Sequence, residues 1–237
     1  MNIIQSAIEL IDAGTDKGLR MRLLGGIAVA IHCPNSRNPG RSYRDIDLAI
    51  PAKSQAALTE LMQAHGYHAD REFNLLNGDS RMLFHCDAYQ IDVFVGEFAM
   101  CHRLPLTFDA HPYTVAVAEL LLTKLQIIEL NPKDAHDGCA LLHELQLGTS
   151  PEQQSTRVRI GQICGNDWGM WRTLTLNLER CVVYARTQDE VLATSVAQQV
   201  SALTTFLDQT PKTLAFKMRA AVGDRVRWYE NPEEVER

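Results

Sequence analysis

No stretch of this 237-residue chain approaches the roughly 20 consecutive apolar residues that cross a bilayer as a helix. The start of the chain, Met1-Asn2-Ile3-Ile4-Gln5, lacks the basic region of a secretory signal. A cytoplasmic protein with no membrane partner is therefore the expectation. The six cysteines (Cys33, Cys86, Cys101, Cys139, Cys164, Cys181) are scattered, and none forms a C-x-x-C pair. That spacing argues against a zinc ribbon and against a compact disulfide framework, and leaves reduced thiols acting as small apolar side chains. Three of them adjoin a histidine, in His32-Cys33, His85-Cys86 and Cys101-His102, so a metal site assembled from these is the lesser alternative.

Basic charge is also scarce. The net charge is −6, and the deficit lies wholly in residues 1–150, which carry 12 basic and 18 acidic side chains against 11 of each in residues 151–237. Broad nucleic-acid-binding surfaces are strongly basic, so none is expected in the first part. Lys212, Lys217, Arg219, Arg225 and Arg227 do crowd the end of the chain against Asp224. A solvated helix face accounts for them more simply than a polyanion site. Repeats and low-complexity tracts are absent too. What remains, 46% apolar and 22% charged residues, suits one large soluble domain or two small ones.

In chain order, residues 2–16 carry apolar side chains at helical spacing up to Gly14, which is expected to end the helix. Residues 34–40 are too rich in Pro, Gly and Asn for anything but a loop, placed over the active face. A second helix is expected over 53–65 after Pro51, stopped by Gly66. From 67 to 98 the pattern turns to short alternating runs. Asn77-Gly78-Asp79 reads there as a hairpin turn, with 82–85 and 91–94 as paired strands. Beyond Tyr113 every segment reads as helix: 115–130, 132–147, 156–164, 167–186, 188–207 and 211–222. The expected architecture is an α/β (α+β) domain with a mixed sheet of about five strands over residues 1–112 and an α-helical domain over residues 113–237.

The functional signal lies in the first part. Leu23-Leu24-Gly25-Gly26-Ile27-Ala28-Val29-Ala30 reads as a strand end, a tight turn and a buried helix with a bare N-terminus, an arrangement suited to the β- and γ-phosphates of a nucleotide. Downstream, Asp45-Ile46-Asp47-Leu48 alternates, so on a strand both carboxylates share one face. Asp92, in Gln90-Ile91-Asp92-Val93-Phe94-Val95, takes the face opposite Ile91 and Val93. Were the two strands adjacent, three carboxylates would converge beside a helix N-terminus. Such a trio is a site for one or two Mg²⁺ ions, because acids set among Ile, Leu, Val and Phe need a cation to balance them. Asp45 and Asp47 would be the main metal ligands, and Asp92 would complete the set and accept the proton of an attacking hydroxyl.

Gly-Gly, then Asp-x-Asp, then a lone Asp in an apolar strand resembles the DNA-polymerase-β-type nucleotidyltransferase superfamily, in its small bacterial branch of antibiotic nucleotidyltransferases and AbiE-type toxins. The resemblance runs over about residues 22–147. Two departures are visible: Gly26 stands where many members carry Ser, and Tyr43 where many carry Thr. The resemblance implies a nucleotidyltransferase fold, catalytic roles for Asp45, Asp47 and Asp92, and nucleotide contacts at Gly25, Gly26 and Arg44. It also implies that Lys124, alone in the apolar run 120–128, neutralises phosphate charge. Without the resemblance Lys124 would be expected to snorkel to water. The element Lys133-Asp134-Ala135-His136-Asp137 likewise matches a Lys-Asp-x-x-Asp-like element of the family, which brings Asp134 and Asp137 into the nucleotide site. On the residues alone, Asn131, Pro132 and Asp134 make an ordinary helix start, and Asp137 pairs with Lys133 on the surface. Trp168 and Trp171 read as core.

The function implied is Mg²⁺-dependent transfer of an NMP group from an NTP to an unidentified hydroxyl acceptor, a small molecule in preference to a protein or tRNA. The alternative is a non-catalytic nucleotide-binding or toxin–antitoxin interaction protein on the same fold. Nothing in the residues speaks to oligomeric state.

Overall fold

The computed structural model describes residues 2–36, 42–145 and 150–231. Within it the chain divides into two compact units, Met1–Ala99 with Pro105–Ala116, and Met100–Leu104 with Val117–Arg237.

The first unit opens with α1 (Ile3–Asp16), capped by the Asn2 side chain, which accepts from the Ile4 amide. Gly14 does not end this helix as expected. It lies inside it and is buried, and a β-carbon there would come within 2.8 Å of Met21 Sδ and 3.4 Å of Leu61 Cδ2. The chain turns instead at Gly18, whose φ of +73° is open to glycine at no steric cost. Strand β1 (Arg22–Leu24) runs directly into α2 (Gly25–His32), followed by β2 (Asp45–Ile50), α3 (Gln55–Ala64), β3 (His68–Ala69), α4 (Arg71–Asn77), β4 (Arg81–His85) and β5 (Gln90–Val95). Two short strands, β6 (Glu97–Ala99) and β7 (Arg103–Pro105), come next.

The turn expected at Asn77-Gly78-Asp79 is in fact the end of helix α4. Asp70 starts that helix by accepting from the Phe73 amide, and the Asn74 side chain holds it to β4 by donating to Leu83 O and accepting from Leu83 N. A run of seven residues with Leu75 and Leu76 exposed shows little periodicity of either kind, which is why the sequence pattern hid it.

The sheet has the order β1-β2-β5-β4-β3, with β2 and β5 parallel and every other pair antiparallel. The five strands expected are present, and so is the pairing of 82–85 with 91–94. Its aliphatic face (Ile46, Leu48, Ile50, Ile91, Val93) is fully buried, as are Ala7 and Ile11 of α1 and Leu58, Leu61 and Met62 of α3. Each such Leu or Ile contributes about 1.5–3 kcal/mol on leaving water, so this face fixes the register of the strands that carry the acids.

The second unit comprises α5 (Val117–Leu125), α6 (Pro132–Leu145), α7 (Pro151–Asn166), α8 (Trp168–Arg186), α9 (Glu190–Gln209) and α10 (Leu214–Val222). Helix α5 stops five residues before the expected position 130. The Asn177 side chain, fully buried in α8, donates to Leu125 O and Ile127 O, while Arg180 donates to Ile128 O. These bonds satisfy carbonyls that would otherwise demand another helical turn. The later helices start where Ser150, Asp167, Asp189 and Thr213 accept from amides three residues on. Trp168 is buried edge-on to Trp228, as a core residue should be. The helix end expected at 147 and the turn at 148–149 lie outside the described residues. No helix among those described is long and apolar enough to cross a membrane.

Candidate active site

Strand alternation puts Asp45 and Asp47 on one face of β2, half-exposed, while Ile46 and Leu48 are fully buried on the other. The parallel register then sets Asp92 of β5 directly beside Asp47, on the same face. Asp92 is buried at 7% exposure. The three acids expected to come together are thus brought to one face of two neighbouring strands.

The turn into α2 completes this face. Leu24, opposite Asp47 in the antiparallel register, is the extended residue before the helix, and it offers no side-chain cap to the first amides. Gly25 follows with φ of +67°, and a β-carbon there would fall 1.8 Å from Asp47 Oδ2. Glycine is required twice over, by backbone conformation and by the approach of the carboxylate. The negative charge of Asp47 accordingly sits at the positive end of the α2 dipole. Gly26, the next residue, is half-exposed, and Arg44 is exposed just before β2. Of the loop expected over this face, residues 37–40 lie outside the described residues, as does Arg41.

One participant was not anticipated. Arg81 of β4 donates from Nε to Asp92 Oδ1 at 2.8 Å and from a terminal nitrogen to Asp92 Oδ2. The guanidinium also lies over the rings of Phe94, 5.2 Å from its centroid, and Phe73, at 5.9 Å. Arg81 pairs with Phe94 in the antiparallel register and Leu83 with Asp92, so the four side chains share one face. That parity was readable in Arg81-Met82-Leu83-Phe84, had the hairpin register been fixed.

For a cation, the fit is two carboxylates rather than three. Asp45 and Asp47 are hard oxygen donors on an accessible face beside a glycine turn, suited to Mg²⁺ or a similar ion. Both oxygens of Asp92 are engaged by Arg81. Among the described residues no group of three or more His, Cys, Asp or Glu side chains is arranged to hold a metal. The cysteine–histidine neighbours build no such group either. All six thiols are free, five are buried, and burial raises Cys164 and Cys181 well above the usual thiol range.

In the second unit Lys124 does not snorkel. Its ammonium lies 3.1 Å from Asp134 Oδ1 and 2.9 Å from Asp137 Oδ2. Asp137, fully buried, therefore pairs with Lys124 and not with Lys133 on the surface. Asp134 is at once the third residue of a capped helix start and a partner of this lysine: Asn131 Oδ1 accepts from the Lys133 and Asp134 amides, and its Nδ2 donates to Asp134 Oδ2 at 2.6 Å. A second buried pair went unforeseen, with Glu119 of α5, wholly buried, accepting from Arg159 Nε and a terminal nitrogen at 3.1 and 2.7 Å. An acid within an apolar helix is its sequence signal.

A histidine pair lies elsewhere in the first unit. His32, closing α2, has Nε2 2.7 Å from Thr114 Oγ1 and its ring 4.8 Å from His111. Burial, seconded by His111, lowers the His32 pKa to about 4.

No family model and no curated protein matches the chain. Solved structures do resemble it. The solution structure of the antibiotic-resistance factor ANT(2'')-Ia has 14% identity and a TM-score of 0.47, with 69% of this chain and 92% of that chain covered. A crystal structure of ANT(2'')-Ia in complex with adenylyl-2''-tobramycin has 13% identity and a TM-score of 0.46, covering 67% and 99%. A tRNA-processing enzyme in an apo form has 15% identity and a TM-score of 0.32, covering 94% and 63%. These likenesses assign no residue of this chain a role.

Proposed function

We propose that the chain is a divalent-metal-dependent nucleotidyltransferase that moves an NMP group from an NTP to a hydroxyl acceptor. The observation that carries this reading is the gathering of Asp45, Asp47 and Asp92 on one sheet face, with the start of α2 pressed against Asp47 at Gly25. Asp45 and Asp47 are the residues that would hold Mg²⁺, which when bound offsets triphosphate charge and makes the α-phosphorus easier to attack.

The remaining roles belong to the chain itself. The amides at Gly25 and Gly26 and the exposed Arg44 receive the triphosphate. Each oxygen of Asp92 keeps a second lone pair beyond the one Arg81 uses. Through it Asp92 orients the acceptor hydroxyl and takes its proton as the oxygen bonds to the α-phosphorus and the bond to pyrophosphate breaks. Lys124, held by Asp134 and Asp137, enters the proposal as a further phosphate-binding cation. The acid excess of residues 1–150 favours a small hydroxylated acceptor over RNA, since RNA binding rests on phosphate neutralisation.

A second reading is a non-catalytic nucleotide-binding or toxin–antitoxin interaction protein. The observation favouring it is the Arg81–Asp92 pair, which occupies the third carboxylate. The two are separated by incubating the chain with each α-labelled NTP, Mg²⁺ and, in parallel, hydroxylated small molecules, bulk tRNA and a protein extract. Label in the small-molecule arm, absent with Asp47→Asn, is the expected result. Nucleotide binding with no labelled product in any arm would overturn the enzyme reading and leave the binding module.

A further inference from the structure

We propose that this site takes a single divalent cation, on Asp45 and Asp47, and that Arg81 supplies through Asp92 the positive charge that a second cation would bring. The inference rests on the nucleotidyltransferase reading and deepens it. Two-metal sites of phosphoryl and nucleotidyl transfer set their ions about 3.5–4 Å apart and need a carboxylate for each. Here the third carboxylate already has a cationic partner in a geometry that is hard to improve. Nε and a terminal nitrogen of Arg81 each meet a different oxygen of Asp92, the bidentate fork in which arginine binds carboxylates most strongly.

Nor is the guanidinium loosely placed. Phe94 and Phe73 face it at 5.2 and 5.9 Å, which adds cation–π attraction in partly desolvated surroundings. Its side chain is 16% exposed and that of Asp92 10%. A metal ion arriving at Asp92 would have to displace the arginine and leave two cations side by side, away from most of the water. Breaking one partner from a buried pair is the strongly unfavourable direction. Asp45 and Asp47 are half-exposed on the neighbouring strand, where an ion such as Mg²⁺ keeps several of its waters, as it prefers to do. Arg81 is thus a positioning residue: it holds Asp92 in place for the acceptor hydroxyl while limiting the number of ions.

The test is the electron paramagnetic resonance spectrum of the full chain, frozen with excess Mn²⁺ and the non-transferable analogue α,β-methylene-ATP. An isolated Mn²⁺ gives a sharp six-line pattern, whereas two ions about 4 Å apart give a broadened, coupled spectrum. The wild type is expected to show one isolated ion per chain, and Arg81→Met a coupled pair. Arg81→Gln, which keeps one hydrogen bond to Asp92 without the charge, serves if Arg81→Met does not fold and is expected to behave alike. A coupled pair in the wild type, or a single ion in the folded variants, would overturn the inference while leaving the transferase reading intact. No protein-bound Mn²⁺ in the wild type would overturn the transferase reading itself.

Discussion

Asp47 Oδ2 lies 1.8 Å from the point where a β-carbon on Gly25 would stand, so the strand that carries the acids and the helix after the glycine turn are fitted to each other through one missing methyl group. Gly25→Ala is expected to destabilise the first unit by about 2 kcal/mol, from a left-handed backbone forced on alanine and from the collision together. It should also displace Asp47 and weaken Mg·NTP binding. Urea unfolding of Gly25→Ala in the wild-type and Asp47→Ala backgrounds checks this. The alanine should cost less when Asp47 is shortened, and equal costs would show that the contact does not matter.

The Lys124 ammonium lies 2.9 Å from a carboxylate oxygen of Asp137, which is fully buried. Removing that charge in Lys124→Met should therefore destabilise the second unit by about 3 kcal/mol, as expected when a buried ion pair loses one partner. Lys124→Met with Asp134→Asn and Asp137→Asn removes all three charges and should recover most of that loss. This variant then decides the phosphate role by calorimetry. ATP affinity lowered tenfold or more supports it, whereas wild-type affinity in a folded protein makes the cluster purely structural.

Much of the site was legible because it depends on parity. Alternation alone assigns Asp45, Asp47 and Asp92 to polar faces and Ile46, Leu48, Ile91 and Val93 to the core, and the structure adds only that β2 and β5 are neighbours. Arg81 was not legible, because its partner depends on the register of β4 against β5, and a wrongly placed turn at Asn77-Gly78 obscured that register. Helix α5 was overlong for a related reason: what stops it is a side chain from α8, 52 residues on. Local patterns cannot report a cap supplied from so far away. The same holds for Asp137, read as a surface partner of Lys133 at helical spacing until the fold placed Lys124 against it.

Acid should destabilise the first unit through His32. Its pKa, lowered by burial to about 4, lies below the ordinary value near 6.5 that it regains on unfolding. Between those values the unfolded chain binds the proton and the folded chain does not, so the stability contribution is present above pH 6.5 and is lost as pH falls toward 4. His111, itself lowered by burial and by Arg22, acts in the same direction. The melting temperature should drop by several degrees from pH 7 to pH 5, and less steeply for His32→Asn. An unchanged slope in the variant would assign the acid sensitivity elsewhere.

The Arg81–Asp92 pair reverses the expected effect of removing the third carboxylate. Three acids on one face, taken alone, predict that Asp92→Asn relieves repulsion and raises the melting temperature. With Arg81 donating to both oxygens, the same substitution instead strands a guanidinium whose side chain is 16% exposed, and a loss of about 3 kcal/mol is expected. Arg81→Met with Asp92→Asn removes both charges and should return stability close to wild type. Chemistry should not return with it. If Asp92 receives the proton of the acceptor hydroxyl, the double variant is folded, still binds Mg·NTP on Asp45 and Asp47, and transfers about 10²-fold more slowly or worse, the loss typical of a missing general base. Stability by urea unfolding, binding by calorimetry and single-turnover transfer of labelled NMP on the same samples separate these quantities. A folded double variant that transfers at the wild-type rate would remove Asp92 from the reaction and leave Arg81 and Asp92 as a structural pair at the border of the site.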